Sequence, residues 1–166
     1  MLEAADLAAF RALRLEALVT SPTSFLATEA EERSASDSDV LKWLAAARPS
    51  AVFGAYAGQA LVGMAGFALN ARHKQRHRGT LWGVYVQPGW RGKGVAREVV
   101  EAVILHARDH VEVLDAMVTA ANEGARALYR SLGFREYGVI ERSLLIDGVY
   151  YDDVMIALDF KAKSDL

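Results

Sequence analysis

Arg91-Gly92-Lys93-Gly94 puts two cations and two residues without side chains into one short turn, and Val95-Ala96 follow it. Ahead of the turn stands Leu81-Trp82-Gly83-Val84-Tyr85-Val86, whose aromatic and branched residues read as a strand. Pro88-Gly89 ends that ladder. Beyond it, Ala96, Val99 or Val100, Val103 and Ala107 recur on one helical face, so residues 91–96 are the way into a helix. The first N–H groups of a helix have no partner inside it and carry the positive end of its dipole. Gly92 and Gly94 leave that backbone open to an approaching group, and Arg91 and Lys93 add full charge. The chemistry this suits is the holding of an anion such as phosphate or pyrophosphate. A basic surface turn that bends at its glycines is the plainer alternative. The order of strand, break, Arg-Gly-Lys-Gly and amphipathic helix favours the anion.

Two common phosphate loops do not fit. A Walker loop needs Ser or Thr after its Gly-Lys, and here Gly94 and Val95 follow Lys93; a dinucleotide fingerprint needs a third glycine where Arg97 stands. What remains is Arg91-x-x-Gly94-x-Ala96 behind Val84-Tyr85-Val86-x-Pro88. A second stretch runs Asn122-Glu123-Gly124-Ala125-Arg126-Ala127-Leu128-Tyr129-Arg130-Ser131-Leu132-Gly133-Phe134. Together the two resemble the coenzyme A loop and the Asn…Leu-Tyr…Gly-Phe helix of the GNAT superfamily of N-acetyltransferases. The resemblance extends loosely from Leu7 to Phe160.

That resemblance implies an α/β (α+β) fold, with a mixed, mostly antiparallel central sheet of about six to seven strands flanked by helices. It implies a single domain over residues 1–166, and acetyl-CoA as donor to a primary amine of a small molecule, peptide or protein, by direct attack. Arg91, Gly92, Lys93, Gly94, Val95 and Ala96 would hold the pyrophosphate. The backbone of Val84, Tyr85 and Val86 would hold the pantetheine arm like an added strand, with an N–H near Val86 polarising the carbonyl. Asn122 would contact the arm. Tyr129 would protonate the departing thiolate, since a tyrosine with pKa about 10 keeps its proton at neutral pH. The two are seven residues apart, roughly 10 Å along one helix face. Acceptor contacts would come from Phe25, Glu29 and Trp82. No carboxylate lies between Thr80 and Val86 to serve as base. Glu29, Glu31, Glu32, Asp152, Asp153 or a chain of waters all stay open for that role. A noncatalytic acyl-CoA or phosphate-ligand sensor using the same loop is the competing reading. A homodimer is implied by family analogy alone.

The elements that must position these groups are legible in coarse form. Leu2 to Val19 reads as an amphipathic helix with Leu7, Phe10, Leu13 or Arg14, Ala17 and Leu18 on its stripe. The family places a short strand before this helix, yet only Met1 and Leu2 stand there: either the chain begins late or that strand is absent. Phe25 to Ser38 is polar and acidic, either a connector or part of an acceptor site. A short helix over Asp39–Ala47, capped by Asp37 or Ser38, follows. Ala51–Ala57 and Ala60–Asn70 form a hairpin about Gly58-Gln59. Val111–Thr119 is a strand, Asn122 caps a helix that Gly133 ends, and 134–145 with 149–158 form a last hairpin turning at Ile146-Asp147-Gly148.

Composition narrows the partners. The 166 residues are 52% hydrophobic, carry a net charge of −2 and include no cysteine. Length and apolar content suffice for a core; the charge gives no general field for nucleic acid. The basic loop Arg72–Gly79 suits an acidic partner or a wet hairpin tip, and it has no aromatic residue to stack on bases. The pairs His73/His77 and His106/His110 have helical metal-ligand spacing but no evident third ligand, so no metal is expected. With no membrane span and no signal pattern, a cytoplasmic protein is the expectation.

Overall fold

The computed structural model describes residues 1–45 and 48–161. Ala51–Ala57 (β1) and Ala60–Leu69 (β2) fold back on each other across Gly58-Gln59, where Gly58 takes φ +61°. Arg78–Val86 (β3) runs antiparallel to β2. Val113–Thr119 (β4) lies parallel to β3, and Arg135–Ile146 (β5) with Val149–Asp159 (β6) completes the sheet in the order β1-β2-β3-β4-β6-β5. The helices are Leu7–Thr20 (α1), Glu29–Ser34 (α2), Asp37–Leu44 (α3), Val95–Arg108 (α4) and Glu123–Ser131 (α5). The mixed, mostly antiparallel sheet expected from the sequence is therefore present with six strands, and its one parallel pair is joined through α4.

Strand alternation sorts the core onto the two faces of the sheet. Met64 points to α1 and packs with Phe10, Leu13 and Ala17; its neighbours Ala65 and Phe67 join Val99, Val100 and Val103 of α4 on the other side. Each of the larger of these side chains contributes about 1.5–3 kcal/mol by leaving water. Gly66 is small for a packing reason: a Cβ there would stand 2.1 Å from the Trp82 ring.

The feature that makes a site is where the sheet comes apart. β3 and β4 pair only at Arg78/Val113, Gly79/Leu114 and Thr80/Asp115. The Arg78 guanidinium clamps the Asp115 carboxylate at that junction, with Nε to Oδ2 at 2.9 Å. From there β3 continues to Val86 against β2, and β4 continues to Thr119 against β6. Two strand edges thus face each other across a widening cleft.

Several boundaries differ from the sequence reading. The first helix begins at Leu7, not Leu2. Ala4–Asp6 forms a 3-10 turn closed by a Glu3/Asp6 capping box, while the Leu2 N–H donates to Val52 O at 2.7 Å and its side chain enters the core. The polar stretch after Phe25 contains α2, held by a Thr28/Glu31 capping box. Ser36, rather than Asp37 or Ser38, caps α3. The expected continuation of α3 to Ala47 lies outside the described residues beyond Ala45. β3 starts at Arg78 and so shortens the basic loop, which holds a 3-10 turn at His73–Gln75. The final turn is as expected, with Asp147 and Gly148 at φ 49° and 80°.

Candidate active site

The cleft between β3 and β4 opens into a cavity of about 810 Å³. One wall is backbone. The Gln87 N–H donates to Val62 O on β2 at 2.9 Å, so alternation turns the polar groups of Val86 to the open side. There Val86 O accepts Arg91 Nε at 3.0 Å, which leaves the Val86 N–H to the cleft. A register slip between Met64 and Gly66, with Gly83 at φ +64°, bends β3 where it leaves β4.

The glycine-basic turn lies at the mouth of this cleft. Gly92 and Gly94 take φ +73° and +86°, a left-handed backbone that side chains disfavour, and a Cβ at either would meet nothing within 4 Å. The first helical bond of α4 is Glu98 N–H to Gly94 O at 3.1 Å. Among the described residues, the N–H groups of Val95, Ala96 and Arg97 have no acceptor. Unpartnered N–H groups at a helix start are suited to holding an anion, and the space above Gly92 and Gly94 is open. Arg91 ties the turn down: besides Val86 O, its Nη2 donates to Ser21 Oγ at 3.3 Å, and its guanidinium lies 5.6 Å from the Tyr85 ring centroid. Lys93 Nζ sits 4.7 Å over Trp90. Arg91 and Ala96 line the main cavity, whereas Lys93 and Val95 border a shallower groove beside Tyr56.

The opposite wall comes from α5. Asn122 Oδ1 accepts the Ala125 N–H at 3.1 Å and so caps the helix, and the residue also borders the cavity. Tyr129 is 6% exposed, with its ring 5.5 Å from Phe134. Its hydroxyl has no partner among the described residues, and burial pushes its pKa up to about 12. Tyr85, by contrast, turns its side chain away, its hydroxyl bonding to Thr20 and Glu16, and its backbone pairs with Met64 on β2.

Of the three residues the sequence reading offered as acceptor contacts, Phe25 and Trp82 line the cavity and Glu29 does not. It lies on the outside of α2, paired with Arg33 at 2.6 Å. Glu31 is spent in the α2 capping box. Glu32 is the buried acid, 2.8 Å from Arg14 Nε. Of the two late aspartates, Asp152 accepts the Arg142 N–H at 2.7 Å. Asp153 is buried against the cavity, with Oδ2 taking the Ser143 hydroxyl at 2.6 Å and Oδ1 without a donor among the described residues. Arg14 is a charged lining residue that the sequence reading did not name for the site. Its signal was a charge standing on the apolar stripe of α1.

Of the second histidine pair, His106 lies on α4 with Nε2 2.6 Å from Pro49 O, and His110 lies beyond the helix end. Among the described residues no group of three or more His, Asp or Glu gathers for a metal, and no helix is long and apolar enough to cross a membrane.

Comparison with known proteins agrees with this geometry. The model of the Acetyltransferase (GNAT) family matches residues 13–134. The N-alpha-acetyltransferase RimI of Mycobacterium tuberculosis is 33% identical over 95 residues, which is 57% of this chain and 58% of that protein. The chain spans well under two thirds of the curated relatives it matches, 19% of one and 58% of the other. The ribosomal-protein-alanine N-acetyltransferase of Brucella melitensis superposes with a TM-score of 0.82 at 27% identity, over 94% of this chain and 95% of that one. The yncA protein of Salmonella typhimurium, solved with acetyl-CoA, gives a TM-score of 0.84 at 22% identity, covering 98% and 92% of the two chains.

Proposed function

The chain belongs to the GNAT acetyltransferase family, and from that membership we propose that it moves an acetyl group from acetyl-CoA to a primary amine by direct attack. The observation that carries the reading is the parting of β3 and β4 after Thr80 and Asp115. A sheet that gives up pairing in its middle leaves main-chain donors and acceptors free, and an extended amide-bearing arm satisfies them as a missing strand would.

In this reading Val84 and Val86 hold the pantetheine amides, and the Val86 N–H meets the negative charge that develops on the thioester oxygen. The N–H groups entering α4, with Lys93 nearby, hold the pyrophosphate. Arg91 fixes the turn to the end of β3 so that both grips keep one spacing. Asn122 steadies the arm from α5. Tyr129 places an unpartnered O–H in the same cavity and donates to the leaving sulfur. Asp153 Oδ1 accepts from the incoming ammonium and helps it become the neutral nucleophile. We read the described residues as one catalytic domain.

Thiol release from acetyl-CoA with a panel of primary amines tests the reading. The wild type should release coenzyme A only with an acceptor present. Tyr129→Phe should bind acetyl-CoA as before but turn over about 10²-fold more slowly. Equal rates for the two proteins would remove Tyr129 from the mechanism. Binding without turnover on any amine would favour the sensing role instead.

A further inference from the structure

Arg14 is a buried cation only half used by the protein. Its side chain is 9% exposed and that of Glu32, facing it, 2%. Nε donates to Glu32 Oε2 at 2.8 Å; Nη1 and Nη2 have no acceptor among the described residues. They are not sealed in either. The side-chain polar atom that is both sealed and unpartnered among the described residues is Glu32 Oε1, and Arg14 borders the cavity. A guanidinium placed purely to pair with Glu32 would satisfy both carboxylate oxygens with its two-pronged fork. Here one Glu32 oxygen and the whole Nη edge are left over. Donors held rigidly at the edge of a cavity in this way are placed to meet a polar group that enters it.

The edge is also held still and well placed. Its guanidinium carbon stands 4.6 Å from the Trp43 ring centroid and 5.7 Å from that of Phe25. Arg11, by donating to Ala35 O at 2.6 Å, fastens the end of α2, the helix that carries Glu32. A Cβ on Gly83 would lie 3.9 Å from Arg14 Nη1, at the point where β3 has just left β4. Across the same cavity Asp153 Oδ1 is open to a cation. One wall thus offers a fixed anion fork and the other a bare carboxylate.

We propose that the Nη edge of Arg14 receives the carboxylate of the acceptor, so that the acceptors are small free amino acids rather than protein N-termini or uncharged amines. The inference rests on the acetyltransferase reading above and narrows it. A free amino acid brings a planar anion for the fork and an ammonium for Asp153. The residue behind a protein N-terminus brings a neutral amide, which offers the fork one weak acceptor and leaves the rest bare.

The test is thiol release from acetyl-CoA with the standard α-amino acids, each beside its own carboxamide. The wild-type kcat/KM should favour some free acids over their carboxamides by at least ~10-fold, the worth of one charge-assisted pair. Arg14→Lys keeps the charge but loses the fork, and should shrink that ratio through the KM of the acid. Removing Arg14 alone would strand Glu32, so the double variant Arg14→Gln/Glu32→Gln gives the second reading of the same ratio. Acetyl-CoA titration checks that each variant keeps its donor site. Carboxamides or peptides accepted as well as free acids by the wild type would overturn the inference and leave the acetyltransferase reading standing. A ratio that survives in both variants would likewise remove Arg14. Acetyl-CoA binding with no turnover on any amine would overturn the acetyltransferase reading, and this inference with it.

Discussion

Tyr129 serves the proposed reaction by holding its proton. Burial alone pushes its pKa up to about 12, so the phenol is a hydrogen-bond donor across the whole neutral range. The same shift marks the stability curve. The unfolded chain loses this proton near pH 10, while the folded protein keeps it until about 12. Between those values the folded form binds more protons, so stability falls as pH rises through that window. The loss is about 2 kcal/mol between pH 9 and pH 12 (about one unit below the unfolded pKa and at the folded one), and the Tyr129→Phe protein should lack it when chemical denaturation is compared at those pH values. An identical fall in both proteins would mean that the phenol is not desolvated. At this scale the sequence was a partial guide. Tyr129 and Asn122 could be named from the resemblance their helix carries. Glu29 was named only for its charge, and it turned outward to Arg33 because α2 presents Glu32, one turn-face away, to the core. Arg14 was hidden among apolar neighbours, since a charge on a buried stripe reads as noise until its partner on another helix is visible.

Two elements carry the proposed donor grip, and both were written locally. The strand, break, glycine-basic turn and start of α4 follow one another without a gap, so the end of β3 and the entry into α4 could be read closely, while the start of β3 lies three residues earlier than the Leu81 expected. Asn122 Oδ1 on the Ala125 N–H and the left-handed Gly133 likewise frame α5 by nearest-neighbour chemistry. What escaped was set from a distance. The start of α1 is displaced by the bond from Leu2 to Val52, about fifty residues away in the chain. α2 is too short to stand alone and depends on Arg11 for its last carbonyls. At the element scale the critical residue is Gly94, cap of α4 at φ +86° with open space where a side chain would go. Gly94→Glu would put a strained backbone and a negative charge where the anion belongs. Isothermal titration should find acetyl-CoA binding abolished, with the fold retained by circular dichroism. Unchanged affinity would move the phosphate site elsewhere.

Over the whole molecule, the sheet is two three-stranded halves. β1, β2 and β3 precede α4 in the chain, and β4, β5 and β6 follow it. The halves meet through three residue pairs, the Arg78–Asp115 clamp and the packing of α4. The proposed donor touches both, Val84–Val86 and the turn on one side, Asn122 and Tyr129 on the other. Binding should therefore act on the entire fold. At about 100 times its dissociation constant, acetyl-CoA should add about 3 kcal/mol and raise Tm by roughly 5–10 °C. Amide exchange should slow in Leu81–Val86 and in α5 together. Slowing in one half alone would mean that the ligand does not span the junction.

The inner margin of β3 has a further consequence. A bare strand edge on the outside of a protein invites a neighbour's strand and, through it, clumping. Here the bare edge faces β4 across the cleft, and residues of β4 and α5 line the same cavity, so a single extended chain is what should fit alongside Leu81–Val86. The cleft works as a size filter, admitting a slender arm and turning away a folded neighbour. While the ribosome is still making the second half, that filter does not yet exist, and the nascent first half shows this margin unguarded.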